Sequence, residues 1–208
     1  MKSLSILERW KLTEQELTII IEENPSLRGF LLGYIGEYKL RALLLANPQV
    51  TGLRKFDDHD RAKGSKNDIA IDYRGHSFTF EVKSLQTNSI KRGEILTGTA
   101  QVDASDRRPV ILSDGTRLET TCLLRGEFDI LALNLFQFRE EWDFAFILNR
   151  DLPGSRSQKY TPFQREQLLA TWHFTMRTPS LRSTLCASLP ASTYKSRTAA
   201  CHLGLARR

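Results

Sequence analysis

The sequence predicts an α/β domain with one central β-sheet flanked by helices. Two helical segments come first in the chain, a β-hairpin follows, and further short apolar strands come after the hairpin. This order of elements is typical of mixed α/β or α+β domains built around a single sheet. The chain has 208 residues, of which 40% are hydrophobic and 26% charged, so it is long and apolar enough for one packed domain.

N-terminal signals mark the two helical segments. The capping box Thr13–Glu16 predicts a helix that runs to about residue 23. Asn24 and Pro25 predict the cap and the first position of a second helix, which ends near Asn47. The second helix carries a broad apolar face, which predicts close packing against a larger element. The residues of that face are Leu27, Phe30, Leu31, Tyr34, Ile35, Tyr38, Leu40, Leu44 and Leu45.

A β-hairpin is predicted between residues 68 and 83. Both arms alternate apolar and polar side chains, and Arg74-Gly75 lies where a two-residue turn would join them. Continuing this register places Asp68 opposite Glu81 on one face, with their Cβ atoms about 5 Å apart. Lys83 points to the same face because side chains alternate along a strand.

The rest of the chain carries weaker patterns. Residues 51–67 are polar and predict a loop that can begin with a short strand, and Asp129 is interpreted as a structural acid at the start of a buried strand. The remaining predicted elements are a helix near Thr99–Asp106, strands at Val110–Leu112, Phe128–Leu135 and Trp142–Leu148, and a helix at Phe163–Thr171.

The net charge of +6 is confined to the end of the chain. No Asp or Glu follows Glu166, whereas six basic residues do, so residues 1–166 carry equal numbers of basic and acidic side chains. The basic composition is therefore no evidence that the folded domain binds DNA. The abrupt change predicts a domain over residues 1–171 and a basic tail, rich in Ser, Thr, Ala and Arg, over residues 172–208. The tail is either disordered or an out-of-frame ending.

Three side chains of the hairpin carry the chemistry. Opposed carboxylates repel each other across a sheet, so the pairing of Asp68 with Glu81 is expected only where a bound cation or a function compensates the repulsion. A divalent cation provides one, because Mg²⁺ is held by one or two carboxylates and keeps positions for water and phosphate. Lys83 beside them can orient a water or neutralise charge in the transition state. These are the parts of a metal-dependent phosphodiesterase; the plain alternative is a solvated strand face with a cross-strand ion pair.

Asn67-Asp68, followed after twelve residues by Glu81-Val82-Lys83, resembles the PD-(D/E)xK nuclease superfamily. The resemblance covers about residues 25–150 and implies the restriction-endonuclease-like fold, a central mixed β-sheet flanked by helices. It implies that Asp68 and Glu81 bind Mg²⁺, for which Mn²⁺ can substitute, that Val82 lends its carbonyl, and that Lys83 assists the attacking water. Asn67 stands where the family usually has proline.

Many members of this superfamily also place a catalytic glutamate on the helix before the hairpin. Glu37 fits that place, although one acid at the edge of an apolar stripe is also an ordinary finding. Basic and polar residues on both sides of the hairpin are candidate DNA contacts, and a mixed-charge surface explains each of them equally well. These candidates are Lys63, Lys66, Lys91, Arg92, Gln101, Arg107 and Arg108.

The implied function is a Mg²⁺-dependent DNA endonuclease in type II restriction or defence, with double-stranded DNA as its partner. Two alternatives stay open: a repair or junction-resolving nuclease of the same superfamily, and a catalytically inactive nucleic-acid-binding protein. A homodimer and a cognate DNA methyltransferase are also left open. No apolar run approaches the roughly 20 residues that span a bilayer, and no export signal is visible, so we expect a cytoplasmic protein without a membrane partner.

Overall fold

The computed structural model describes residues 4–56 and 67–177. The chain forms two compact units, Met1–Ile35 and Gly36–Arg208. The first unit contains α1 (Ile6–Trp10), α2 (Glu14–Glu23) and the beginning of α3 (Pro25–Leu45). No helix in these described ranges has the length and apolar character needed to cross a membrane.

Reciprocal side-chain caps begin the first two helices. The predicted capping box of α2 is confirmed, since Glu16 N–H donates to Thr13 Oγ1 and Thr13 N–H donates to Glu16. A second capping box, formed by Ser5 and Glu8, begins α1, which the sequence analysis did not predict. The side-chain amide of Asn24 donates to the carbonyl of Ile20 at 2.7 Å, so this side chain serves the end of α2 rather than the predicted cap.

The described strands all belong to the second unit, and one pair of neighbouring strands in its central sheet is parallel. The described strands are β1 (Val50–Lys55), β2 (Ile69–Tyr73), β3 (His76–Ser84), β4 (Ile95–Ala100), β5 (Asp103–Ile111), β6 (Arg117–Cys122), β7 (Ile130–Asn134), β8 (Phe144–Leu148) and β9 (Trp172–Arg177). The central sheet has the order β1-β2-β3-β7-β8, and its other neighbours are antiparallel. The predicted central mixed sheet is therefore confirmed.

The hairpin of β2 and β3 has the predicted register. Its pairs run from Tyr73 with His76 to Ile69 with Phe80. Arg74 and Gly75 both have positive φ, at 49° and 79°, which is the backbone of a type I′ turn. This turn matches the twist of the strands, and it accounts for the success of the register prediction.

The central sheet is covered on both faces. Leu40 and Leu44 of α3 are fully buried against one face, in a cluster that includes Ile130 and Ala132 of β7. Leu133 points to the opposite face and packs with residues of β4 and β9, which form a small sheet of their own. The predicted close packing of the second helix is thus confirmed for Leu40 and Leu44 and is wrong for most of the predicted face. Its exposed residues are Leu27, Phe30, Tyr34, Ile35, Tyr38 and Leu45.

Two predictions about the segments beyond the hairpin were wrong. Thr99–Asp106 is not a helix: it ends β4 and begins β5, which pairs with β6. The domain boundary at residue 171 is also too early, because β9 pairs with β4 along its whole length and buries Phe174. The predicted tail from residue 178 onward lies outside the described residues. The helix predicted over Phe163–Thr171 is shorter, as α5 (Pro162–Gln167), and α4 (Phe136–Arg139) is a further short helix.

Asp129 joins β3 to β7, as expected of a structural acid. Its Oδ2 accepts from the backbone N–H of Thr79 at 2.9 Å and from the Thr79 hydroxyl at 3.0 Å.

We expect Asp129→Ala to lower the free energy of unfolding by about 2 kcal/mol, because a carboxylate acceptor is lost and a partly buried N–H loses its partner. Urea unfolding measures this. The control Asp151→Ala removes an exposed acid paired loosely with Arg150 and should change stability by less than about 0.5 kcal/mol. Equal effects would show that Asp129 is not a structural link.

Candidate active site

Glu81 and Lys83 form a buried ion pair on β3. Their side chains lie on the same face of the strand, with Lys83 Nζ 2.8 Å from Glu81 Oε1. Glu81 is 5% exposed, although a glutamate with an ordinary pKa is ionised at neutral pH. A solvated strand face would leave such side chains in water, so the burial argues against the plain interpretation of this pair.

Asp68 lies immediately before β2 and contacts β3 at two places. Its N–H donates to the carbonyl of Phe80 at 3.1 Å, although Phe80 already pairs with Ile69. Two residues of the first arm therefore meet one residue of the second, as in a β-bulge. The Asp68 carboxylate accepts from the backbone N–H of Val82 at 2.7 Å. The carboxylate is thus held against the strand residue between Glu81 and Lys83.

Val82 presents both backbone groups to the first arm. The N–H and C=O of one strand residue point to the same neighbouring strand, and the Val82 N–H is directed at Asp68. Its carbonyl therefore leaves β3 on the side where Asp68 lies, which is the position that its predicted role as a metal ligand requires.

Burial and neighbouring charges shift the pKa values of the ion pair. Burial raises the pKa of Glu81 to about 7, against the lowering effect of Lys83, and the carboxylates of Asp68 and Glu127 raise it further. Burial disfavours the Lys83 ammonium, but the attraction of Glu81, Asp68 and Asp103 outweighs it and raises the pKa of Lys83. Near neutral pH the lysine is therefore charged, and the glutamate exchanges between its neutral and ionised forms.

Two acids near this pair were missed by the sequence analysis. Asp103 begins β5 and is half-buried, and burial raises its pKa while the charge of Lys83 opposes that rise. Glu127 forms a partly buried ion pair with Arg108, and its Oε2 also accepts from the N–H of Leu124 at 2.8 Å. Neither acid belongs to a motif. They come close enough to act on Glu81 and Lys83 only because the chain folds.

The site has an excess of carboxylates. The carboxylates of Asp68, Asp103 and Glu127 act on the Glu81–Lys83 pair, and Arg108 pairs with Glu127, so four carboxylates here stand against two cations. Among the described residues, the buried Asn67 Oδ1, beside Asp68 in sequence, and Glu127 Oε1 have no hydrogen-bond partner, and neither have Nε and Nη1 of Arg108. A divalent cation would balance the charge and use a free oxygen.

The donor set fits Mg²⁺ but no metal with a complete protein shell. Among residues 4–56 and 67–177 no group of three or more His, Cys, Asp or Glu side chains is arranged to hold a metal ion. Mg²⁺ needs only one or two carboxylates, because water and phosphate oxygens complete its octahedral shell. Asp68 and Glu81 are the two carboxylates that would hold it.

Glu37, the fourth predicted catalytic residue, lies on α3 beside the end of β1. Its carboxylate forms an ion pair with Lys55 at 3.6 Å, and its side chain is mostly buried. The preceding Gly36 lies against Asn134, to which a Cβ at this position would come within 3.1 Å of Nδ2. Glu37 therefore lies where α3 passes the sheet, and its catalytic role stays a prediction.

The candidate DNA contacts divide into side chains bonded within the fold and side chains that are not. The guanidinium of the exposed Arg92 donates to the carbonyls of Phe138 and Gln137, and the partly buried Arg108 forms an ion pair with Glu127, so both stabilise the fold. Lys91, Gln101 and Arg107 are exposed and stay candidates, whereas Lys63 and Lys66 lie outside the described residues.

Comparisons with known proteins give one structural similarity. No family profile and no curated protein matches the chain. Among solved structures, a bacterial homing endonuclease, I-Ssp6803I, matches with a TM-score of 0.40 and 16% identity, covering 74% of this chain and 82% of that chain. A similarity this distant assigns neither family nor function.

Proposed function

We propose that this chain is a Mg²⁺-dependent DNA endonuclease of the PD-(D/E)xK type and that it hydrolyses phosphodiester bonds at Asp68, Glu81 and Lys83. The observation that carries the proposal is the buried Glu81–Lys83 pair with the Asp68 carboxylate held on the N–H of the residue between them. Burial makes this arrangement costly without a function, because each charge must lose its water. A cation-dependent hydrolytic site uses all three side chains.

Each side chain has a distinct task in this proposal. Asp68 and Glu81 would hold Mg²⁺, which when bound supplies charge neutralisation and lowers the pKa of a water molecule. The Val82 N–H keeps the Asp68 carboxylate in place. Lys83 is protonated near neutral pH and can donate to the attacking water or to a phosphate oxygen, where it opposes the negative charge that develops.

The test of this function is plasmid nicking by the purified protein in Mg²⁺, in Mn²⁺ and in EDTA. We expect nicking in both metals and none in EDTA. A folded protein that binds DNA but cleaves none in either metal would instead be the inactive nucleic-acid-binding protein that the sequence left open. Isothermal titration calorimetry with Mn²⁺ measures metal binding separately from cleavage.

The biological role is a second, finer question. Type II restriction or defence is the proposed role, and repair or junction resolution is its alternative. Comparing linear duplex, plasmid, flap and four-way-junction DNA separates them, since a restriction enzyme needs only a short duplex sequence. Cleavage confined to branched DNA would overturn the restriction role. Size measurement with and without duplex DNA tests the homodimer.

A further inference from the structure

A basic cavity lies on the surface of the second unit and shares no lining residue with the candidate active site. Its volume is about 640 Å³ and it is open to solvent. Residues 154–158, which follow β8, and residues of α5 form its walls. The side chains that matter are those of Arg125, Ser155, Arg156, Gln158, Arg165 and Glu166.

Arg125 builds the floor of this cavity. Its guanidinium donates to the carbonyls of Arg150 at 2.7 Å, Leu152 at 3.0 Å and Glu166 at 3.0 Å. These contacts join the segment after β8 to the end of α5. The acceptors carry no net charge, so the contacts leave the positive charge of Arg125 uncompensated.

The two walls are also tied together through their backbones. Ser155 N–H donates to the carbonyls of Arg165 at 3.0 Å and Leu168 at 2.7 Å. At Gly154 a Cβ would lie 2.6 Å from the Arg165 carbonyl oxygen, so this approach requires glycine. The segments that carry Arg156 and Arg165 are therefore held in a defined relation before any ligand binds.

Arg156 and Arg165 have unused guanidinium groups. Within the described ranges no hydrogen bond or ion pair engages either side chain. The lining side chains comprise three arginines and one acid, Glu166, a net charge of +2. An arginine whose guanidinium makes no internal contacts can donate two parallel hydrogen bonds to one phosphate.

We propose that Arg156 and Arg165 bind a phosphate of the DNA backbone and so give the substrate a second contact, away from the cleavage site. That the bound polymer is DNA rests on the proposed function. Phosphate can come from DNA or from a free anion or nucleotide. Two features favour DNA. The cavity is open, and none of its described lining residues is aromatic, so a nucleoside has no surface to stack on.

The test is fluorescence anisotropy with a labelled DNA duplex in EDTA, over a range of salt concentrations. We expect Arg156→Ala/Arg165→Ala to raise Kd on the order of tenfold or more and to reduce the slope of log K against log salt by about one, because the two arginines neutralise one phosphate. The matched control is Arg117→Ala/Arg139→Ala, which removes two exposed arginines outside the cavity and should change Kd far less. Circular dichroism checks that both double variants fold.

Three outcomes would contradict the proposal or part of it. An unchanged Kd and salt slope in Arg156→Ala/Arg165→Ala overturns it. An equal loss in the control shows general charge attraction, and overturns it as well. If calorimetry with inorganic phosphate shows binding that only this variant loses, while DNA affinity is unchanged, the anion site stands and DNA as its source is overturned.

The readout also separates this proposal from the proposed function. Anisotropy in EDTA measures binding alone. Wild-type protein that binds DNA through these arginines but never cleaves it would contradict the nuclease and support the arginine site. If wild-type protein cleaves DNA with Mg²⁺ and Arg156→Ala/Arg165→Ala binds DNA as tightly as the wild type, the nuclease is supported and the arginine site is contradicted.

Discussion

Replacing Glu81 by alanine is expected to lower metal-dependent DNA cleavage by at least about a hundredfold, because it removes one of two metal-binding carboxylates and the partner that holds Lys83. Lys83→Ala should have a comparable effect through loss of the ammonium beside the reacting phosphate. Plasmid nicking under saturating Mg²⁺ measures both. The matched control is Glu119→Ala, which removes an exposed strand glutamate on β6 and should cleave at the wild-type rate. Wild-type cleavage by either active-site variant would show that the site is elsewhere.

Loss of folding must be separated from loss of chemistry in these variants. Each single substitution leaves one buried charge without its partner, which costs stability. Glu81→Met/Lys83→Met removes both charges and fills the space with apolar atoms of similar length, so it should unfold at a urea concentration close to or above that of the wild type. We expect this double variant to be folded and unable to cleave. A folded double variant that cleaves DNA would contradict the mechanism more directly than either single variant.

The hairpin was predictable because its information is local. Alternating side chains and a two-residue turn at Arg74-Gly75 specify the register of β2 and β3 without reference to the rest of the chain. β4 lacks such a signal. Its buried positions include Gly98 and Ala100, which are too small to mark an apolar face, and its pairing partner β9 is distant in sequence. The helix predicted near Thr99–Asp106 covers only the end of β4 and the start of β5, and both strands depend on pairing with other segments, β9 and β6.

β9 was missed although its sequence does carry a local strand pattern. Trp172, Phe174 and Met176 alternate with polar residues, which is the period of a half-buried strand. The prediction of a tail follows from the change in charge composition and from the lack of a sustained period over the whole segment, neither of which registers so short an alternation. Composition averages over many residues, so it cannot place the end of a domain to within one strand.

The candidate site was predictable only where it coincides with the hairpin. Glu81 and Lys83 share a face because side chains alternate along β3. Asp68 lies at a bulge, so its carboxylate contacts the Val82 N–H and the predicted pairing of Asp68 opposite Glu81 is wrong. Asp103 and Glu127 reach the site through β5 and the turn before β7. Arg108 shows the same limit. The sequence offers it as a surface cation for DNA, and the fold places it in an ion pair with Glu127. Which charges are buried depends on packing between segments that have no common local pattern.

The stability of the metal-free protein is expected to fall as pH rises from about 5 to about 8, and Glu81 is the reason. Its pKa is about 7 in the folded protein and near its ordinary value of 4.5 in the unfolded chain. Between these values the folded state binds the proton more tightly, so raising the pH favours the unfolded state. The full difference corresponds to up to about 3 kcal/mol above pH 7, and it vanishes below the unfolded pKa.

Urea unfolding in EDTA, repeated across this pH range, measures the effect, and Glu81→Gln is the matched variant because glutamine keeps the shape without the titration. The difference in unfolding free energy between the two proteins should change with pH in favour of Glu81→Gln. Asp103, whose pKa burial also raises, is common to both proteins, and its contribution largely cancels in the difference. Lys83 stays protonated throughout, because its pKa lies above its ordinary value. Parallel pH profiles would mean that Glu81 is ionised without cost in the folded protein, and the buried carboxylate would then give no electrostatic reason for a cation at this site.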